Sequence, residues 1–376
     1  MSMSGDPIRK SRVRRRRYAA LAAPAAGVVA AGLLTAAAPT ASAAEDVPVG
    51  YASMNGGTTG GFGAGVVHEY VLSEYRQDSG HGNPADAMYA LLKEHRDRSG
   101  EGLVVYVDET VDASGFSESK MDVKEVENVS ILGVGDRGEF DGVGINIRDA
   151  RNVVVRNLEI HHVDTGEKDG IGVQKDSSNV WIDHNEIYNE FQGADKEHYD
   201  GLIDIKNGSQ YITVSWNHLH DSWKTMLTAS SDSDGANGDK ITYMNNHFEN
   251  VNSRVPLIRR SEVHMLNNYF EDIASSAINC RLGAQVLVEG NYFLRTGSGE
   301  VDDQDGQIQG PVGWWYGSDE TGYWNLVDNA YEDTPHEHLE STTDFTVPYS
   351  YDALGPEEAR TQASQNSGTG VVDVTP

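Results

Sequence analysis

The residues best suited to chemistry lie between Asp200 and Arg260. This stretch has two aspartates, then Lys224, then a group of arginines, in the runs Asp200-Gly201-Leu202-Ile203-Asp204-Ile205-Lys206 and Arg254-Val255-Pro256-Leu257-Ile258-Arg259-Arg260. Because side chains alternate along a strand, Asp204 and Lys206 should share the outer face while the isoleucines face inward. Carboxylates and fixed cations on one wall suit a hard divalent cation that bridges to a negatively charged substrate.

An internal repeat indicates the wall that positions these residues. The pattern apolar-x-apolar-x-x-Asn-x-apolar occurs six times, first at Val180 to Ile187 and last at Trp324 to Tyr331. Its asparagines are 22 to 38 residues apart, at Asn185, Asn217, Asn246, Asn268, Asn291 and Asn329. Asparagine tolerates left-handed backbone and its amide bonds to nearby backbone groups. We therefore predict that these asparagines form the bends of successive coils and stack as an internal ladder.

The repeat length indicates the fold class. Coils of at least about 22 residues with short β-branched strands are typical of a right-handed parallel β-helix. A β-propeller is the rival fold, but its blades repeat at about 40 residues with Gly-His and Trp-Asp marks. Only Gly80-His81 resembles such a mark. We predict an all-β, single-domain right-handed parallel β-helix.

The sequence before the repeat predicts a capping helix. Asn83 can serve as N-cap and Pro84 as first helical residue, followed by one apolar face made of Ala85, Met88, Leu91 and Leu92. A helix placed before a first strand at 103–107 would cover the apolar end of the solenoid.

The sequence after Tyr331 lacks the repeat. We expect residues 332–376 to form a C-terminal arm that packs along the outside of the β-helix. Its end, after about Ala359 and including residues 360–376, is expected to be disordered, as chain termini often are.

The first 44 residues are typical of a secretory signal peptide. Seven basic residues precede an Ala/Leu/Val run at 18–38, and Ala41-Ser42-Ala43 matches an A-x-A cleavage site. An uncleaved membrane anchor is the alternative, which the alanine-rich run with its proline and glycine disfavours. We predict a signal peptide at 1–44, one domain at 45–376, and a secreted, extracellular protein.

Composition excludes several partners. Without the signal segment the chain has 22 basic and 57 acidic residues, a formal charge of about −35. Such a chain is unsuited to nucleic acid or to a membrane surface, so neither is expected once the chain is processed, and we expect a monomer. The single cysteine, Cys280, excludes an intrachain disulfide and a cysteine metal site, and is predicted to be a core residue.

Four motifs in this order resemble the extracellular bacterial pectate lyases of the pectate/pectin lyase family. They are Trp181-Ile182-Asp183-His184, the Asp200/Asp204 pair, Lys224 twenty residues after Asp204, and Arg254-x-Pro256-x-x-Arg259. The similarity covers roughly residues 52–351. It implies a parallel β-helix that cleaves polygalacturonate or pectin by β-elimination and releases 4,5-unsaturated oligogalacturonides.

The resemblance also implies the site residues. Calcium is the implied cofactor, with Asp169, Asp200 and Asp204 as ligands and Glu167 as a match to a further acidic ligand. Arg254 would be the base that removes the sugar proton. The remaining cations would hold substrate carboxylates or face the groove, and they are Lys224, Arg259, Lys206 and Arg281.

The proposed base is chemically demanding. Arginine is normally a permanent cation with a pKa above about 12. Its use as a base would require calcium, Lys224 and Arg259 to lower the proton affinity of Arg254. Lys224 is the alternative base.

Other functions remain open at this stage. A pectin lyase would act on methyl-esterified polymer, but relatives of that kind lack the calcium aspartates. A β-helical polygalacturonase would work with paired carboxylates and would not need the lysine and arginines. A β-helical adhesin or carbohydrate-binding module is a non-enzymatic alternative. Asp183 and His184 are interpreted as a hydrogen-bonded network between coils, and Asp302-Asp303 with Asp305 as an acidic loop.

Overall fold

The structure is a computed structural model, which describes residues 47–233, 238–297, 299, 309–315 and 317–376. The predicted signal peptide and the acidic loop at Asp302, Asp303 and Asp305 lie outside the described residues.

The described strands form three sheets of ten, eight and nine strands. The first sheet contains β1 (Val67–Val71), β2 (Gly102–Val107), β5 (Glu127–Gly133), β8 (Arg151–Arg156), β11 (Ser178–Asp183), β14 (Gln210–Ser215), β17 (Asp239–Met244), β20 (Glu262–Leu266), β23 (Gln285–Glu289) and β26 (Tyr323–Val327). The second sheet contains β4 (Met121–Lys124), β7 (Ile145–Arg148), β10 (Ile171–Gln174), β13 (Ile203–Ile205), β16 (Met226–Thr228), β19 (Leu257–Arg259), β22 (Ser276–Arg281) and β25 (Gly310–Gly313). The third sheet contains β3 (Thr110–Asp112), β6 (Glu139–Asp141), β9 (Glu159–His161), β12 (Glu186–Tyr188), β15 (His218–Lys224), β18 (His247–Ser253), β21 (Tyr269–Ile273), β24 (Tyr292–Leu294) and β27 (Ala330–Glu332).

Each strand pairs in parallel with the equivalent strand of the next coil, as β11 does with β8 and β14. Apolar residues at one register position of the first sheet therefore stack along the interior, and each is fully buried: Val153, Val180, Ile212, Ile241, Val263 and Val286. β-Branched side chains pack well in such stacks. The predicted parallel β-helix is confirmed.

The asparagine ladder is confirmed. Each ladder amide except the last donates from Nδ2 to Oδ1 of the next asparagine at 2.9–3.0 Å, along the series Asn185, Asn217, Asn246, Asn268, Asn291 and Asn329. The same amides donate to backbone oxygens, as Asn217 does to Ile182 at 3.0 Å. The ladder thus satisfies backbone groups that the bends would leave unpaired in the interior.

The left-handed backbone lies one residue earlier than predicted. The residues before the ladder asparagines have φ between 47° and 64°, and they are His184, Trp216, Asn245, Asn267, Gly290 and Asp328. The bend is therefore made before the asparagine, whose side chain is left directed into the interior. The expectation that the ladder asparagines themselves take this conformation is wrong.

Two helices, α1 (Leu72–Ser79) and α2 (Pro84–His95), precede the main coils. The predicted capping helix is α2, in which the side-chain oxygen of Asn83 accepts a hydrogen bond from the backbone N–H of Asp86 at 2.7 Å. Its predicted apolar face lies in the core. Neither α1 nor β1 was predicted. In α1, Leu72 is the only buried residue, so the helix has no apolar periodicity that the sequence could reveal.

The C-terminal arm packs against the β-helix as predicted, but its end is ordered. The Tyr351 hydroxyl donates to Glu289 of the first sheet at 2.7 Å. Helix α3 (Pro356–Asn366) contacts β21 and β24, with Ala359 and Ala363 fully buried. These small side chains allow close contact with the sheet, which corrects the expectation of a disordered end after Ala359. Among the described residues, no helix is both long enough and apolar enough to cross a membrane.

Candidate active site

The outer face of the second sheet carries a column of polar residues from successive coils. Asp122, Asn146, Gly172 and Asp204 occupy one register position of β4, β7, β10 and β13. As predicted, the isoleucines on either side of Asp204 are fully buried in the core. The glycines make room for carboxylates, since a Cβ on Gly201 would lie 2.3 Å from Oδ1 of Asp204.

Three of the four predicted metal ligands surround one lysine. The Lys206 Nζ lies 3.0 Å from Oδ2 of Asp169, 3.4 Å from Oε2 of Glu167 and 3.8 Å from Oδ2 of Asp204. The Asp169 and Asp204 side chains are only 3% and 5% exposed, so their charges are poorly solvated. Sequence reasoning placed Lys206 beside the substrate, whereas its ammonium here neutralises the predicted calcium ligands.

Burial makes the two central carboxylates costly to ionise. It raises the pKa of Asp169 to about 6, despite the opposing charge of Lys206. Burial and the nearby charge of Asp169 raise the pKa of Asp204 well above its usual value. The charge of Asp200 acts on both groups in the same direction, so the fourth predicted ligand belongs to the same cluster. Lys206 is the ammonium that lies beside both Asp169 and Asp204, so one positive charge faces these two carboxylates.

The polar residues that donate hydrogen bonds to the Glu167 carboxylate were not identified from the sequence. Burial opposes its ionisation, but hydrogen bonds from Lys120 and Gln174 lower the pKa of Glu167 to about 2. Gln174 also donates to Oδ1 of Asn146 at 2.7 Å, and Asn146 donates to Asp122 at 2.5 Å. The alternation Met-Asp-Val-Lys and Ile-Asn-Ile-Arg in β4 and β7 was the signal that could have identified this column.

Two predicted cations are held by carboxylates beside this cluster. The Lys224 Nζ lies 2.7 Å from Oε2 of Glu197 and 3.4 Å from Oδ1 of Asp200. Arg259 donates from Nε to Oδ1 of Asp232 at 2.6 Å and from Nη1 to the Ala229 backbone oxygen at 2.9 Å. Glu197 and Asp232 lie in loops between strands, so their partners could not be assigned by strand periodicity.

Arg254 lies in the turn between β18 and β19. Its charge acts to lower the pKa of both Asp204 and Glu197, so it lies near the acidic cluster and near the carboxylate that holds Lys224. Within the described part of the chain, its guanidinium makes no hydrogen bond or ion pair. It therefore differs from Lys224 and Arg259, whose cationic groups are already bound to carboxylates.

Arg281 is the predicted site residue whose position is least suited to contact with substrate. It pairs in register with Arg259 across β19 and β22. Only 2% of its surface is exposed, and a Cβ on Gly317 would lie 2.8 Å from its Nη1. The segment at Gly317 covers the guanidinium, so the expectation that Arg281 faces the groove does not hold in this structure.

The Asp183 and His184 pair forms a structural network in the first sheet, as interpreted from sequence. Oδ2 of Asp183 lies 2.9 Å from Nε of Arg156 and 2.6 Å from Nδ1 of His184. Ser215 donates to Oδ1 of the same carboxylate at 2.5 Å. This network joins β8, β11 and β14 on a different sheet from the calcium-ligand candidates. Cys280 is fully buried, also as predicted.

A parallel β-helix whose second sheet displays carboxylates beside lysines and arginines has the features of an enzyme acting on an acidic polysaccharide. The family described as "Pectate lyase" matches residues 20–371. The chain belongs to the pectate lyase family and is a polysaccharide lyase.

Individual relatives agree with this assignment. The chain is 41% identical over 325 residues to a pectate trisaccharide-lyase of Bacillus licheniformis, covering 86% of each chain. It is 49% identical to a pectate lyase from Bacillus sp. N165 solved in complex with trigalacturonate, with a TM-score of 0.78, covering 86% of this chain and 99% of that one. Pectate lyase C from Erwinia chrysanthemi, solved with 30 mM Ca²⁺, shares 24% identity with a TM-score of 0.67 over 85% of this chain and 96% of that one. The last similarity concerns the fold alone.

Proposed function

We propose that this pectate lyase is a secreted, calcium-dependent enzyme that cleaves (1→4)-α-D-galacturonan by β-elimination and releases 4,5-unsaturated oligogalacturonides. The meeting of Asp169, Asp204 and Glu167 at one point of the second sheet is the observation that carries the proposal. Trigalacturonate in the Bacillus sp. N165 relative supports a galacturonate polymer as substrate.

Calcium fits the donor set. Ca²⁺ takes six to eight oxygen ligands in flexible geometry, and every proposed protein ligand here is a carboxylate. The ligands would be Asp169, Asp200, Asp204 and Glu167. Asp169 and Asp204 share the single ammonium of Lys206, and a divalent cation would balance the negative charge that this pair retains when ionised. When bound, calcium would withdraw electron density from a substrate carboxylate and acidify the carbon next to it.

Arg254 is proposed as the base. It would accept the proton from the carbon beside the sugar carboxylate. The electron pair left on that carbon then forms the new double bond as the bond to the glycosidic oxygen breaks, and the departing oxygen takes up a proton from solvent water. The Arg254 side chain has no carboxylate partner among the residues described, so it is available to face the substrate. Lys224 is less available, because its Nζ already lies 2.7 Å from Oε2 of Glu197 and 3.4 Å from Oδ1 of Asp200.

The other cations are proposed to position the polymer. Arg259 is oriented by Asp232 and by the Ala229 carbonyl, which prepares its guanidinium for a substrate carboxylate. Lys224 and Lys206 would change partners when calcium and substrate carboxylates enter the cluster. Arg281 would act through its charge on Asp232, the residue that holds Arg259.

The test is a lyase assay on polygalacturonate, followed by ultraviolet absorbance of the unsaturated product. We expect a rise in absorbance that a chelator removes and added Ca²⁺ restores. Activity only on methyl-esterified pectin would identify a pectin lyase. New reducing ends without absorbance would identify a polygalacturonase, and the absence of both products would favour a binding protein.

A further inference from the structure

The third sheet presents a second cluster of ionisable residues, on a different face from the lyase groove. Its rings stack along successive coils in the order His161, Tyr188, His220, His218, His247 and Tyr269, with centroid separations of 4.3–5.0 Å. Glutamates lie among the histidines, as Glu186 does beside His218. The proposed lyase reaction uses none of these residues.

Three of these side chains converge on one point. Oε1 of Glu186 lies 3.4 Å from Nε2 of His220 and 3.9 Å from Nδ1 of His218. Ligand atoms around a tetrahedral Zn²⁺, at bond lengths of about 2.0–2.2 Å, are about 3.3–3.6 Å apart. The two histidines are two residues apart in β15, so they share one face, and Glu186 is the register partner of His218 on β12.

The outer nitrogen of each imidazole is held by another carboxylate. Nε2 of His218 lies 3.0 Å from Oε2 of Glu249, and Nδ1 of His220 lies 2.8 Å from Oδ2 of Asp221. A carboxylate at that position keeps a proton on the nitrogen it contacts, so an ion that displaces the proton from the other nitrogen can use that nitrogen as a lone-pair donor. In both rings this donor is the nitrogen that faces Glu186.

Solvent can reach the cluster. The side chains of Glu186, His218 and His220 are 32%, 22% and 15% exposed. The C-terminal arm passes beside them, where Thr369 donates from its hydroxyl to Oε2 of Glu186 at 3.2 Å. Gly368 lies against His218, since a Cβ there would be 3.3 Å from the histidine Cβ. An ion could therefore enter between the sheet and a segment already docked on it.

We propose that Glu186, His218 and His220 form a binding site for a borderline divalent cation such as Zn²⁺, separate from the calcium cluster of the groove. Imidazole nitrogens favour Zn²⁺, Cu²⁺ and Ni²⁺, whereas calcium prefers oxygen ligands alone. A bound ion would link β12 to β15, and so join two neighbouring coils.

A second grouping, His218 with His247 and Glu249, shares one histidine with this site. It would require His218 to coordinate through Nε2. The other nitrogen of His218 lies 3.9 Å from Glu186, too far for the supporting hydrogen bond. The site containing His220 is therefore the better supported of the two.

The experiment is calorimetric titration of Zn²⁺ into the chelator-treated, untagged full-length chain. Millimolar Ca²⁺ is present throughout, so that the groove carboxylates do not take up the probe. We expect one equivalent of Zn²⁺ to bind, and no measurable binding to this site in His220→Gln or Glu186→Gln. Asp221→Asn should weaken binding by about 10–100-fold, as loss of a supporting carboxylate does.

Matched controls locate the site. His247→Gln removes a neighbouring histidine of the same stack, and His338→Gln removes an exposed histidine elsewhere on the chain; both should bind Zn²⁺ like the unmodified protein. X-ray absorption of the zinc complex should show two imidazole nitrogens and carboxylate oxygen. Zn²⁺ should also raise the thermal midpoint of the unmodified chain but not that of His220→Gln.

Three results would overturn the proposal. They are the absence of saturable Zn²⁺ binding in the unmodified chain, undiminished binding in both His220→Gln and Glu186→Gln, or loss of binding in His247→Gln with retention in His220→Gln. Circular dichroism and lyase activity, measured without Zn²⁺, should be unchanged in all these variants. If one variant fails to fold, the other, which removes a different ligand, supplies the test.

Discussion

The groove on the second sheet and the histidine cluster on the third sheet lie on the same coils but balance their carboxylates differently. In the groove, Asp169 and Asp204 face the ammonium of Lys206, which keeps its charge at all ordinary pH values. On the third sheet, Glu186 faces His218 and His220, whose charge depends on pH. The scaffold therefore supplies equivalent outward positions, and the residue type at each position determines the chemistry.

The two regions also differ in where their residues lie along the coil. In the groove, Asp204, Lys224 and Arg259 lie in strands, but Asp169, Asp200 and Arg254 lie in the segments that connect them. Glu186, His218 and His220 all lie within strands. Loops can vary in length and move on binding, whereas strand positions are fixed by the ladder of backbone hydrogen bonds. Residues in connecting segments suit a groove that must bind and release a polymer. Residues in strands suit a cluster that holds one small ion in a fixed geometry.

The largest expected effect is loss of the proposed base in the groove. Arg254→Ala should lower kcat on polygalacturonate by about 10²–10⁴-fold, the usual contribution of a general base. Initial rates of absorbance change measure the effect, and circular dichroism checks the fold. Arg137→Ala, at an arginine whose side chain is 57% exposed, should retain the normal rate. A near-normal rate in Arg254→Ala together with an inactive Lys224→Ala would transfer the role to Lys224.

The next effect concerns calcium. Asp204→Asn keeps the size of the side chain but removes one charge, so the Ca²⁺ concentration for half-maximal activity should rise by roughly ten-fold or more. The same variant should be more stable in chelator, because a buried carboxylate next to Asp169 is removed. Activity at varied Ca²⁺ and thermal unfolding measure the two effects. Asp328→Asn, in an exposed turn, is the control, and an unchanged calcium requirement in Asp204→Asn would contradict the assignment.

The buried carboxylates of the groove should make the free energy of unfolding depend on pH at acid pH. Burial raises the pKa of Asp169 from 3.8 to about 6. The folded chain then binds this proton more tightly than the unfolded chain, so without calcium stability should fall as pH rises from about 4 to about 6. At about 1.4 kcal/mol per pKa unit, the change is about 3 kcal/mol. Denaturant unfolding in chelator should show this slope, which Asp169→Asn should reduce and excess Ca²⁺ should remove. Equal slopes in all three experiments would refute the prediction.

The histidine cluster should affect the free energy of unfolding at higher pH. Burial disfavours the charged ring, but hydrogen bonds to Asp221 and Glu186 raise the pKa of His220 from 6.5 to about 9. Its stabilisation should be complete below about pH 6.5 and lost as pH rises through about 9. Denaturant unfolding between pH 6 and 10 in chelator measures it. His220→Gln should flatten this part of the profile, and His338→Gln should not; a profile unchanged by His220→Gln would show that the ring contributes nothing.

The sequence by itself determined the repeating architecture. The spacing of the asparagines established the coil, because one amide per turn is needed to satisfy the backbone at each bend. Strand alternation placed Asp204 outside and the neighbouring isoleucines inside. The order and spacing of Asp200, Asp204, Lys224 and Arg254 resembled the pectate lyases, the family to which the chain belongs.

The tertiary structure alone decided which charges meet. Lys206 was predicted to face substrate but contacts Asp169, 37 residues earlier, because the register between coils places them together. Glu197 and Asp232 pair with Lys224 and Arg259 from loops whose path has no periodic signal. Glu186 meets His220 from a strand 34 residues earlier, across a loop whose length conceals the pairing. Sequence spacing defines positions within one coil, whereas contacts between coils depend on stacking, and stacking is a property of the folded chain.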